Sequence, residues 1–180
     1  MTTRIRYTNI AIALHWLIAL LIIATFFLGL TMVDMPGITP TKMKYFNWHK
    51  WMGVTVLGLA VLRLLWRLTH KAPALPASMP KWEQLAAELG HLGLYVLMFA
   101  VPLSGYFYSL SAGYPVVYLG LIPLPVLMEK NLELKPILEE AHFWLNMGLA
   151  ALVSVHVLAV IKHQFIDRTP ILRRMLPGSD

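Results

Sequence analysis

The chain contains no cysteine. That absence excludes disulfides, iron–sulfur clusters, thiolate ligands and any haem attached covalently through C-x-x-C-H. Charge is the second scarcity. Asp, Glu, Lys and Arg make up 13% of the 180 residues, against about a quarter in an ordinary soluble domain. Acids are the scarcer sign, nine against fifteen basic residues. What is abundant is apolar, 58% of the chain. A bilayer span takes about 20 mostly apolar residues, and four stretches qualify: 10–33, 48–68, 89–110 and 143–161. The first is too long for a signal-peptide core, and no small-residue cleavage site follows Gly29, so it is read as a retained span. The expected fold is therefore all-α, a single transmembrane unit over residues 1–180 built as an antiparallel four-helix bundle with short connections.

The net charge of +6 does not point to nucleic acid, because the charges are sorted by side. The N-terminus, the loop after the second span and the C-terminal tail carry Arg4, Arg6, Arg63, Arg67, Lys71, Lys81, Lys162, Arg168, Arg173 and Arg174. The other side has only Lys42, Lys44, Lys50, Lys130 and Lys135, and there Asp34, Glu129, Glu133, Glu139 and Glu140 cancel them. The positive-inside rule puts both termini in the cytoplasm. The outer segment 111–140 is apolar in part but broken by Pro115, Pro123 and Pro125. It is too interrupted to span and reads as an interfacial lid over the outer end of the bundle.

Four histidines lie inside the apolar stretches, where an imidazole is costly and marks function. His15 and His156 sit near the cytoplasmic ends of the first and fourth spans; His49 and His142 open the second and fourth from outside. Fourteen residues separate His142 from His156, which is about 21 Å of helix rise, and fourteen steps fall only about 40° short of four full turns. Both rings therefore leave the fourth helix on one face, at two depths. The pattern is that of two b-type haems, held non-covalently by His15/His156 inside and His49/His142 outside. With two imidazoles per iron no position is left for oxygen or substrate, so electron transfer is favoured over oxygenase chemistry. On the second helix Arg63 lies fourteen residues below His49, with Arg67 one turn on, in reach of the inner haem's propionates. Gly53, and Gly29 fourteen after His15, leave room for a flat macrocycle.

The remaining histidines have plainer readings. His91 sits beside Glu88 at interface depth, more a solvated or proton-handling group than a ligand. His70 reads as a solvated loop residue. His163, next to Lys162, is at the membrane edge. The ten methionines read as packing, and the tryptophans as an interfacial belt.

These residues resemble the bacterial cytochrome b561 family, related to the cytochrome b subunits of nickel–iron hydrogenases. The resemblance covers nearly the whole chain. It rests on Ala13-Leu14-His15-Trp16-Leu17, His49-x3-Gly53, Arg63-Leu64-Leu65-Trp66-Arg67, Gly90-His91-x3-Tyr95, Pro102, Gly105, His142, His156 and Leu172-Arg173-Arg174-Met175-Leu176-Pro177. It departs at Ala141-His142-Phe143, where the family often reads Trp-His-Glu. The resemblance implies the same ligand pairs, ubiquinone as a redox partner, and in one member type superoxide oxidation at the outer face of a bacterial inner membrane. His163, Lys162 and His91 are then candidates for the protons of quinone reduction, and Lys42, Lys44 and Lys50 for steering an anionic donor. Two other readings stay open at this point: an electron-relay subunit for a periplasmic dehydrogenase or cytochrome, and a haem-free transporter or metal-handling protein. The expected partners are lipid, quinone and superoxide or another periplasmic donor, with a homodimer allowed and no nucleic acid.

Overall fold

The computed structural model describes residues 6–76 and 78–178, so Arg4 lies outside the described residues. Four long helices follow one another: α1 (Asn9–Asp34), α2 (Pro40–Thr69), α3 (Lys81–Ser111) and α4 (Leu134–Ile161). Each is long and apolar enough to cross a membrane. A short hairpin, β1 (Val117–Tyr118) with β2 (Ile122–Pro123), interrupts the α3–α4 connection; Val117 pairs with Pro123 and Tyr118 with Ile122. Beyond α4 come a π-helical turn (Lys162–Ile166) and a 3₁₀ turn (Leu172–Met175).

Local chemistry sets the starts. The Thr8 hydroxyl accepts from the Ala11 amide and Thr39 from the Lys42 amide, with Pro40 in the first turn of α2. Asn131 Oδ1 accepts from the amides of Glu133 and Leu134 at 3.0 Å, which starts α4 nine residues before the expected span. Similarly, α2 begins at Pro40 and α3 at Lys81, ahead of the expected 48 and 89. Apolarity marks where lipid begins, whereas helices end at caps and prolines, so the helices run on past the bilayer.

Both termini meet at one end of the bundle. The Arg6 guanidinium donates to the Leu176 carbonyl at 2.7 Å, and the Trp16 indole to Met175 O at 2.7 Å. The helices pack in chain order, α1 on α2, α2 on α3, α3 on α4. Ile18, Ala60 and Met98 form the tight centre of α1–α3, one turn in from His15. Few other side chains are buried; large apolar residues such as Leu20 and Phe27 point outwards. In water so much exposed apolar surface would aggregate, but in lipid it is the solvated face, and helices satisfy their own backbone polar groups there.

Candidate functional site

Histidines face each other across two loosely packed helix pairs, α1 with α4 and α2 with α4. His15 on α1 and His156 on α4 have ring centres 6.3 Å apart; His49 on α2 and His142 on α4 are 6.2 Å apart. Two metal–imidazole bonds of about 2 Å each, with a further ~1.1 Å from each bonding nitrogen to its ring centre, span ~6.2 Å. Both pairs therefore have the separation of two imidazoles on opposite sides of one metal ion.

At the hairpin end the rings are fixed in orientation. His49 Nδ1 donates to the Thr25 carbonyl on α1 at 3.1 Å, and His142 Nδ1 to the Val101 carbonyl on α3 at 3.1 Å, with Ser104 Oγ also 2.9 Å away. A carbonyl only accepts, so Nδ1 carries the proton and Nε2 keeps its lone pair for a metal, the usual way a protein sets a ligand tautomer. Glycines make the close approach possible. A Cβ on Gly105 would lie 2.8 Å from His142 Cε1, and one on Gly29 would lie 3.1 Å from His49 Cε1. Gly29 thus makes room for the imidazole itself, not directly for a macrocycle as its spacing suggested. Gly53 has no atom within 4 Å of its would-be Cβ and faces open space.

That space is a cavity of about 730 Å³ containing both rings and Gly53 on its wall, in the size range of organic ligand sites. Its lining is largely apolar, with Lys42, Lys50 and Lys135 on it; Lys44 instead lies over the Trp48 ring at 4.8 Å. Val116, Leu124 and Pro125 of the hairpin segment close it. The segment that the sequence reads as a lid forms a hairpin, pinned by the Trp51 indole donating to Val117 O at 2.7 Å.

At the terminal end, His15 and His156 make no side-chain hydrogen bond among the described residues. Their ring neighbours are each other, Trp16 and His91. His91 differs from its sequence reading: its ring lies 5.6 Å from that of His156, half-buried in the bundle, rather than solvated at an interface. Arg63 donates to the Ala11 carbonyl at 3.3 Å, and the Arg63 and Arg67 guanidiniums both approach the Tyr95 ring, at 6.0 and 5.6 Å. With Arg6 and Lys71 they line one cationic cleft. His70 is stacked on Trp66, ring centres 3.8 Å apart, and is only half exposed to solvent.

A model of the family described as prokaryotic cytochrome b561 matches residues 6–178. The chain belongs to the prokaryotic cytochrome b561 family. It is 34% identical over 174 residues to the cytochrome b561 homolog 2 of Escherichia coli strain K12, covering 97% of this chain and 93% of that protein. It is 28% identical to cytochrome b561 homolog 1 of the same strain, with 96% and 97% covered. A probable superoxide oxidase CybB of Yersinia pestis is 27% identical, with 96% of each chain covered. The chain is thus a membrane electron-transfer protein of a family that binds b-type haem.

The residues present fit that group. Nitrogen ligands suit a chain without cysteine, the ring spacing suits a six-coordinate metal, and the apolar cavity beside His49 and His142 suits a flat macrocycle with cations for its carboxylates. Sequence reasoning named Lys162 and His163 but missed the acids that join them in a cluster, Glu83 and Asp167. Lys162 Nζ is 2.9 Å from Glu83 and 2.7 Å from Asp167; His163 Nδ1 is 2.8 Å from Asp167, and its Nε2 is 3.8 Å from Glu83. The Lys162 ammonium, and then the His163 hydrogen bond, hold the Asp167 carboxyl below the usual carboxylate range. The four-residue spacing of His163 and Asp167 was a usable signal; the pairing with Glu83, on another helix, was not.

Proposed function

We propose that this chain, working as one transmembrane unit with both termini in the cytoplasm of a bacterium, carries electrons through the inner membrane on two b-type haems. His15 and His156 would hold one haem at the cytoplasmic level, and His49 and His142 the other at the periplasmic level. The observation that carries this is the near-identical separation of the two ring pairs, 6.3 and 6.2 Å, in helix pairs that otherwise stand apart. When bound, haem would supply one-electron chemistry.

The protein's own groups divide the remaining work. Thr25 and Val101 carbonyls hold the periplasmic-level imidazoles in the ligating tautomer. Arg63 and Arg67 bind propionate carboxylates at the cytoplasmic level, where guanidinium pairs them bidentately. Lys42, Lys50 and Lys135 attract an anionic donor to the outer face. Superoxide is the donor this supports, consistent with the relative named a probable superoxide oxidase. Ubiquinone takes the electrons at the cytoplasmic edge. There His163, held by Asp167 and Glu83, delivers protons with Lys162 as its charged neighbour, and His91 links that edge to His156.

The test is reduction of the purified holoprotein by superoxide in vesicles containing ubiquinone. Haem reduction followed by quinol formation is expected. His163→Ala should slow quinol formation and leave both haem spectra unchanged; loss of a haem signal in that variant would refute the assigned role. Reduction by quinol with no response to superoxide would refute the assigned donor.

A further inference from the structure

The connection from α3 to α4 has the chemistry of a segment in lipid rather than in water. From Ala112 to Met128 it carries no charged residue. Its tip is a tight turn in which Leu119 and Gly120 both have positive φ, 54° and 73°, closed by the Leu121 amide donating to Tyr118 O at 3.0 Å. Turns of this type ordinarily take Asn-Gly or Asp-Gly, because short polar residues tolerate left-handed backbone. Leucine there is sterically disfavoured. Yet Leu119 remains 52% exposed, and Leu121 beside it is 81% exposed. A strained residue kept in an exposed turn points to a use for its side chain.

Depth identifies the surroundings. The Trp51 indole donates to Val117 O, the Thr55 hydroxyl and Tyr118 OH share a hydrogen bond of 2.9 Å, and Gly120 lies against the Trp51 ring. Trp51 is eleven residues into α2, about 16 Å along its axis. Eight of those residues precede the apolar run that begins at Trp48, so Trp51 lies just inside the bilayer edge, two residues past His49, and the turn hangs beside the bundle at the level of that histidine.

The backbone is equipped for that position. Pro115, Pro123 and Pro125 have no N–H to leave unpaired. Side-chain donors take the carbonyls of Val117 (Trp51) and Pro125 (Tyr106), and the Leu124 amide takes that of Val116. In hydrocarbon each orphan backbone group is costly, and non-helical backbone survives there only when protein satisfies it.

We propose that the β1–β2 turn is an interfacial lipid anchor. Leu119, Leu121 and Ile122 sit among phospholipid acyl chains of the leaflet at the hairpin end and hold the segment as a wall of the His49/His142 cavity. The anchor rests on the membrane fold and not on the donor or haem assignments.

Because the chain lacks cysteine, single-cysteine variants carry one label each. Leu121→Cys and Ile122→Cys are spin-labelled in holoprotein, with one chain per phospholipid nanodisc on average. Leu20→Cys on the outward face of α1 serves as the lipid reference and Glu129→Cys as the aqueous one. Oxygen should relax the turn labels far more than a water-soluble nickel chelate does, as at position 20. Nickel access like that at position 129, or dipolar broadening from a second copy packed on the turn, would overturn the proposal. A smaller probe covers the case in which the nitroxide unseats the turn. A membrane-impermeant maleimide should modify Leu121→Cys at least tenfold more slowly than Glu129→Cys in nanodiscs, and equal rates would overturn it.

Discussion

Gly105→Ala is the sharpest perturbation the geometry offers. In a helix interior this exchange ordinarily stabilises by about 0.5–1 kcal/mol, since alanine restricts the unfolded chain. Here the new methyl would stand 2.8 Å from His142 Cε1 and 3.1 Å from its Nδ1. Carbon atoms settle at about 3.5–4.0 Å, so the ring must retreat by roughly 0.7 Å or α3 must move away from α4. A functional constellation tolerates about 0.5 Å of misplacement. Overpacking of this kind costs about 1–3 kcal/mol, and at 1.4 kcal/mol per decade the outer cofactor's affinity should fall between about fivefold and a hundredfold. The retreat also pulls Nδ1 from the Val101 carbonyl, which frees the ring to turn. The assay is haem per chain together with a redox titration. The expected result is loss or a shifted potential of one component, with the other, held by His15 and His156, unchanged. Gly58→Ala is the control, because a Cβ there meets no protein atom within 4 Å and the position is off the cavity wall. Two unaltered components in Gly105→Ala would refute the packing argument.

Single ligand removals should separate the two levels. His15→Ala should abolish only the component nearer the termini and His49→Ala only the other, read as half the haem content and a single potential; loss of both in either variant would contradict independent sites. Trp51→Phe removes the indole donor to the Val117 carbonyl and leaves it only the Gly120 amide at 3.2 Å, at a cost of about 1 kcal/mol. Faster hydrogen exchange confined to the hairpin segment is expected, and unchanged exchange would count against the pinning role. The folded Asp167 carboxyl is held below its ordinary range, so its contact with Lys162 and His163 persists at neutral pH and is lost only as acid carries the solution through that depressed value. Asp167→Asn should therefore remove the acid limb in the pH profile of quinol formation, and a limb of unchanged position would exclude Asp167 as its source.

The sequence carried the fold where the physics is one-dimensional. Four apolar runs, the fourteen-residue interval on the last helix and the two histidine depths all follow from helix rise and bilayer thickness. The family motifs lie on the same residues. Helix ends were less legible, because Asn131 and Pro40 start α4 and α2 outside the apolar runs. The approach of His91 to His156 was not legible, because the neighbouring Glu88 suggested a solvated position and the contact joins α3 to α4. The backbone carbonyls of Thr25 and Val101 leave no trace in residue identity at all. Gly105 was visible as a motif residue, but its reason, an imidazole edge in contact, exists only in three dimensions. The Glu83–Lys162 pair joins positions nearly eighty residues apart and needed the helices assembled before it could be seen.

The central claim is that four imidazoles clamp two irons, and low-temperature electron paramagnetic resonance of the oxidised holoprotein, with haem counted per chain, tests it most directly. Two haems per chain, both low-spin with bis-imidazole signals, is the result the proposal predicts. A single haem, or a high-spin iron with an open axial position, would contradict it.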